Sequence, residues 1–255
     1  MHLSAGGRDL EYLWFGPLPA QAPTLVFLHE GLGSATAWRD FPRRLVEATG
    51  FGAMVYSRAG YGASDPVALP RPIRYMHDEA GVLGEVLERG GVRDAILVGH
   101  SDGASIALIN AGSAPRVSLR ALVLEAPHVF AEPIGLQSIA LMKRQYETTD
   151  LRERLARVHG ENVEVAFRGW NDVWLHPEFS KWNIEEFVGS IHVPMLLVQG
   201  ANDEYGTWRQ VDAIQRQARG PVETLLVPNC GHAPHRDHPN LVLAAMTAFV
   251  IKHVT

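Results

Sequence analysis

Short apolar runs of strand length alternate along the chain with longer stretches of helical character. The runs are 10–15, 24–28, 53–56, 95–98, 121–124, 195–198 and 223–227, rich in Val, Leu and Ile as buried strands are. Helix-like stretches cover 35–48, 74–89, the residues after Gly103, and a closing segment 239–252, with Gly90-Gly91 as a stop signal for the second. This alternation predicts an α/β fold with a mostly parallel central sheet flanked by helices.

The rhythm breaks once. Between Leu124 and Met195 no strand pattern appears; residues 128–189 are richer in charge and Trp, with helix-like pieces at 135–147 and 150–158. The stretch is too long for a plain loop. It reads as a helical lid inserted between two strands, entered near Pro127 and left near Pro194, over the carboxyl edge where such sheets bind ligands. The expected organisation is a core of 1–127 and 190–255 with a lid of 128–189. The alternative is an extra packing layer with no role at the site.

Composition narrows the classes. The chain of 255 residues is 46% hydrophobic and 20% charged, ample for one large domain with an insertion. The net charge of −5 without a basic block argues against a nucleic-acid partner. A single cysteine, Cys230, excludes a disulfide framework and reads as a small buried hydrophobe. The N-terminus lacks a signal-peptide pattern and no run approaches membrane-spanning length, so a cytoplasmic protein without membrane association is expected.

Candidate chemistry sits at the carboxyl ends of the runs. Ser101 stands in Gly99-His100-Ser101-Asp102-Gly103, between a strand and a helix, as in a nucleophile elbow. Asp203 follows the run 195–198, His232 follows 223–227, and the Gly-rich turn His29-Glu30-Gly31-Leu32-Gly33-Ser34 follows 24–28. Glu125, after 121–124, competes with Asp203 as the acid partner of the histidine. The stretches "HEGLGS", "YSRAGYGASD", "GHSDG", "GANDEY" and "CGHAPHRDHP" together resemble the α/β-hydrolase superfamily, in its lid-bearing lipase/esterase-like branch, over nearly the whole chain.

The resemblance implies a Ser101–His232–Asp203 triad and oxyanion donors at the backbone N–H groups of Gly31 and Asp102. It implies serine hydrolysis of carboxylic esters of small or medium molecules through an acyl-enzyme, with no cofactor. The alternatives are a C–C bond hydrolase of aromatic ring-cleavage products and a slow-turnover small-molecule receptor. A serine at the centre of the elbow argues against branches that attack through a carboxylate. Glu30 stands where the family usually has Gly. A carboxylate would oppose an oxyanion there, so its side chain is expected to turn toward Arg39, Arg58 or the lid. Asp102 is expected to open the helix after the elbow, His29 to organise its loop and Arg58 to anchor its own turn. Glu30, Leu32, Trp170 and Trp174 are candidate substrate contacts; Trp170, Trp174 and Trp182 each read as core more readily than as pocket wall. His232, His235 and His238 have suggestive spacing, but Pro234 and Pro239 argue against the regular helix that would align them on a metal.

Overall fold

Residues 24–28, 52–56 and 195–200 are buried at every position, the condition of strands covered on both faces. The computed structural model describes residues 1–113 and 115–254. In chain order the elements are β1 (His2–Ala5), β2 (Arg8–Phe15), β3 (Thr24–Leu28), α1 (Phe41–Thr49), β4 (Gly52–Tyr56), α2 (Tyr75–Arg89), β5 (Asp94–His100), α3 (Asp102–Gly112) and β6 (Ser118–Glu125). They continue as α4 (Pro133–Thr148), α5 (Leu151–His159), α6 (Val163–Trp174), α7 (Glu185–Val188), β7 (Met195–Gly200), α8 (Trp208–Gln217), β8 (Val222–Val227), α9 (Pro234–Asp237) and α10 (Pro239–Val254). Among the described residues eight strands form one sheet in the order β1-β2-β4-β3-β5-β6-β7-β8. The β1–β2 and β2–β4 pairs are antiparallel and all the others parallel.

Successive strand residues point to opposite faces and so feed different cores. Val26, Leu28, Leu97, Leu122 and Leu197 join one core with Leu83 of α2, Leu108 of α3 and Trp170 of α6. Leu25, Phe27, Ile96, Val123 and Val198 join the other with Leu45 of α1 and Met246 and Phe249 of α10.

The stretch 35–48 is not one helix. A short turn at Ala35–Trp38 ends at Arg39, whose φ of 55° lies in the left-handed region, and α1 opens afresh with Pro42 in its first turn. Proline suits a helix start and not an interior. The stretch between β6 and β7 holds α4 to α7.

Candidate active site

The turn from β5 to α3 leaves Ser101 at φ 54°, ψ −117°, a costly conformation for a residue with a side chain unless its surroundings hold it. They do so through close packing. A Cβ on Gly99 would lie 2.6 Å from Ala104 Cα, and one on Gly103 would collide with the Leu28 carbonyl. Both glycines let α3 start directly against β3 and β5. The Ser101 N–H donates to the Glu125 carbonyl at 2.9 Å, and its carbonyl accepts from Ala104 N–H at 2.9 Å.

β7 and β8 bring their following loops to the same edge. His232 Nε2 lies 2.9 Å from Ser101 Oγ, and His232 Nδ1 lies 2.9 Å from each oxygen of Asp203. Asp203 also accepts from Gln199 Nε2 at 2.7 Å, Tyr205 N–H at 2.8 Å and Gly206 N–H at 3.3 Å. Burial pushes the Asp203 carboxyl up, but the charge and hydrogen bond of His232, then the Tyr205 N–H, outweigh it and hold it at about 2. Glu125 is elsewhere: its Oε2 accepts from His235 Nδ1 at 2.8 Å and from His235 N–H at 3.2 Å. His238 Nε2 lies 3.2 Å from the Asn229 carbonyl, so the three histidines of that loop face different partners.

The loop after β3 is organised from beneath. His29 Nδ1 lies 2.7 Å from the Glu30 carbonyl, and its Nε2 accepts from Arg58 N–H at 3.1 Å. Burial foremost, then the charge of Arg58, holds this imidazole well below its usual range, so it is neutral. The fully buried Arg58 guanidinium donates to the carbonyls of His29 at 2.6 Å and Glu30 at 3.1 Å. It anchors the Gly-rich loop as well as its own turn. The Trp170 indole lies against Gly31 so closely that a Cβ there would overlap it.

Two acids beside Ser101 find partners the sequence did not disclose. Glu30 Oε2 faces His100 Nδ1 at 3.6 Å, so its partner is His100 and not Arg39, Arg58 or the helices between β6 and β7. Burial opposes charge on both. The pairing nevertheless holds Glu30 well below the usual carboxylate range and raises His100 to about 9. His100 Nε2 in turn donates to the His232 carbonyl at 2.7 Å. Asp102 does open α3, but its side chain is wholly buried. It accepts from the Tyr75 hydroxyl and, at 3.2 Å, from Trp174 Nε1, with Arg58 Nη2 at 4.0 Å. Burial pushes its carboxyl up, and Arg58, Tyr75 and Trp174 counter that.

Ser101 opens into a cavity of about 220 Å³. Ile139, Met142, Trp170 and Trp174 form apolar wall, while Glu30, Gly31, Leu32, His128 and Tyr205 also border it. Trp182 is instead stacked on Phe179, with centroids 5.3 Å apart. Sequence reasoning missed His100, His128 and Tyr205. His128 had a signal, since it closely follows β6 at the edge that carries the other site residues.

A parallel sheet whose carboxyl edge joins serine, histidine and aspartate in one hydrogen-bonded line defines a hydrolase of the α/β type. The chain belongs to the Alpha/beta hydrolase family, which it matches over residues 25–245. It is 28% identical, over 89% of its length and 86% of the relative's, to a 2-succinyl-6-hydroxy-2,4-cyclohexadiene-1-carboxylate synthase of Yersinia enterocolitica. It is 25% identical to a mouse (Mus musculus) sn-1-specific diacylglycerol lipase, over 91% of this chain and 82% of that one. An esterase from Exiguobacterium antarcticum has the same fold, with a TM-score of 0.78, 17% identity and 98% of each chain covered. Among the described residues no helix is long and apolar enough to cross a membrane.

Proposed function

We propose that the protein is a serine hydrolase that cleaves carboxylic esters of small or medium molecules through an acyl-enzyme. The observation that carries this reading is the line Ser101 Oγ–His232 Nε2–Nδ1–Asp203, with 2.9 Å at each junction. Ser101 Oγ attacks the ester carbonyl carbon while His232 Nε2 takes its proton. The oxyanion accepts from the N–H groups of Gly31 and Asp102, each such donor worth about 3 kcal/mol of barrier. Collapse expels the alcohol, which carries away the proton from His232. Water then gives a proton to His232 and its oxygen to the acyl carbon, and Ser101 leaves with that proton. Asp203 holds the imidazole tautomer and stabilises the imidazolium.

The cavity supports a small substrate: about 220 Å³ lies below the roughly 300–1,000 Å³ usual for drug-sized ligands. The likeness to a diacylglycerol lipase supports ester chemistry. In this reading residues 128–189 act as a lid, through the apolar wall that α4 and α6 contribute.

The test is Ser101→Ala. The folded variant is expected to lose at least about a thousandfold in kcat on a short-chain nitrophenyl ester and to escape labelling by a fluorophosphonate. Labelling that persists overturns the assignment. Wild-type turnover above about one per second, in the ordinary enzyme range, separates an enzyme from a slow receptor.

A further inference from the structure

Buried polar groups in folded proteins are hydrogen-bonded with few exceptions, and each exception asks for a partner. The His128 ring is a related case, because its nitrogens are not among the fully enclosed unpartnered atoms and instead open on the cavity. It is only 4% exposed and borders the cavity at Ser101. Among the described residues neither of its ring nitrogens has a hydrogen-bond partner. Its carbonyl, by contrast, is engaged by Ser105 Oγ at 2.7 Å.

The ring is held in place. Its centroid lies 5.6 Å from that of His232 and 5.4 Å, edge-on, from Trp174. On another side Gly206 makes room for it, since a Cβ there would lie 2.9 Å from His128 Cε1. Burial first, then the neighbouring charge of His232, lowers this imidazole to about 3. At working pH it is neutral and offers one N–H donor and one nitrogen acceptor. A space-filling residue at this position would need neither.

We propose that His128 is a substrate-binding residue that hydrogen-bonds an uncharged oxygen function, a hydroxyl or a carbonyl, on the portion of the substrate beside the scissile ester. This rests on the ester-hydrolase reading for where the substrate lies, and deepens it. The preferred substrates are then small hydroxy- or oxo-substituted esters rather than plain alkyl esters. An uncharged oxygen suits this position, because a neutral imidazole can hydrogen-bond it but balances no charge. A hydroxyl suits either tautomer of the ring, and a carbonyl suits the one that places a proton toward the cavity.

The experiment compares kcat/KM for p-nitrophenyl butyrate with its α-hydroxy, β-hydroxy and β-oxo derivatives, each corrected for its enzyme-free rate, in wild type, His128→Phe and His128→Gln. The wild type is expected to favour at least one oxygenated ester by about tenfold, the net worth of one neutral hydrogen bond. His128→Phe should erase that preference, read as the ratio of kcat/KM for each oxygenated ester to that for butyrate in the same variant, and His128→Gln, which retains donor and acceptor, should keep part of it. The same preference in His128→Phe, or none in the wild type, overturns the proposal. Binding of the same esters to Ser101→Ala, read by thermal shift, separates the two levels. Discrimination in binding with no wild-type turnover overturns the ester reading and supports His128 as a binding residue. Turnover of every ester without discrimination overturns the role of His128 alone.

Discussion

Asp203→Asn tests the acid of the proposed triad, with Glu125→Gln as its control. Asp203 Oδ1 accepts from two backbone donors, Tyr205 N–H and Gly206 N–H, while Oδ2 accepts from Gln199 Nε2. In the asparagine variant the amide oxygen must keep the Oδ1 place, because backbone donors cannot reverse. The new NH2 group then occupies the Oδ2 place, 2.9 Å from His232 Nδ1. Oδ1 is also 2.9 Å from Nδ1 but already accepts from two backbone N–H groups, so the donor at the Oδ2 place favours an acceptor at Nδ1 and moves the ring proton to Nε2, where Ser101 Oγ needs a base. The expected cost is about ten-thousandfold in kcat, or about 5 kcal/mol of barrier. Glu125 contacts His235 and not His232, so Glu125→Gln should cost under about tenfold. Its unpartnered buried Oε1 would make the amide an unmet donor, and the loss should appear in melting temperature instead. The assay is initial rates on one nitrophenyl ester, with folding checked by near-ultraviolet circular dichroism. Equal losses in both variants, or the reverse ranking, refute the reasoning.

Trp170→Ala is expected to shift kcat/KM toward longer acyl chains, because the indole closes the cavity over Gly31. Trp174→Ala should instead slow every ester by about tenfold or more, because it removes a donor from buried Asp102 beside the nucleophile. A chain-length series from acetate to octanoate gives both profiles, and identical profiles exclude the distinction. Acid stability should carry two signatures. His128 is lowered to about 3 in the fold, so between about pH 6.5 and 3 only the unfolded chain takes up its proton and stability falls with pH. His128→Phe should flatten the melting temperature between pH 7 and 4; an unchanged slope contradicts a neutral His128. Asp203, at about 2 when folded, contributes stability that is complete above about pH 4 and lost as pH falls toward 2, and Asp203→Asn should remove that part of the slope.

Ser101, Asp203 and His232 are legible because each directly follows an apolar run, and in a parallel sheet those ends share one edge. What is not legible depends on distant partners. Nothing in "HEGLGS" names His100 as the companion of Glu30, and nothing in "GHSDG" shows that Asp102 meets Tyr75 and Trp174. α6 escapes the sequence reading because Gly169, Asn171 and its valines dilute helix propensity, and packing over the sheet supplies what propensity lacks. β1 escapes because only four residues pair with β2 at the sheet's edge. Arg58 looks like a turn residue, and only the fold reveals the loop it supports.

The hydrogen bond from Trp174 to Asp102 has a corollary for chimaeras. The stretch between β6 and β7 enters and leaves one sheet, so a chimaera can be built by replacing it as a block. Here the exchange is not free, because α6 carries a donor for the carboxylate next to Ser101, and His159 and Asn162 further clamp this stretch to the Gly62 turn. A chimaera that imports another helical stretch onto this sheet leaves Asp102 with the Tyr75 hydroxyl but without its indole donor, unless the import supplies one. Trp174, Tyr75 and Asp102 therefore form one hydrogen-bonded unit that such a chimaera splits.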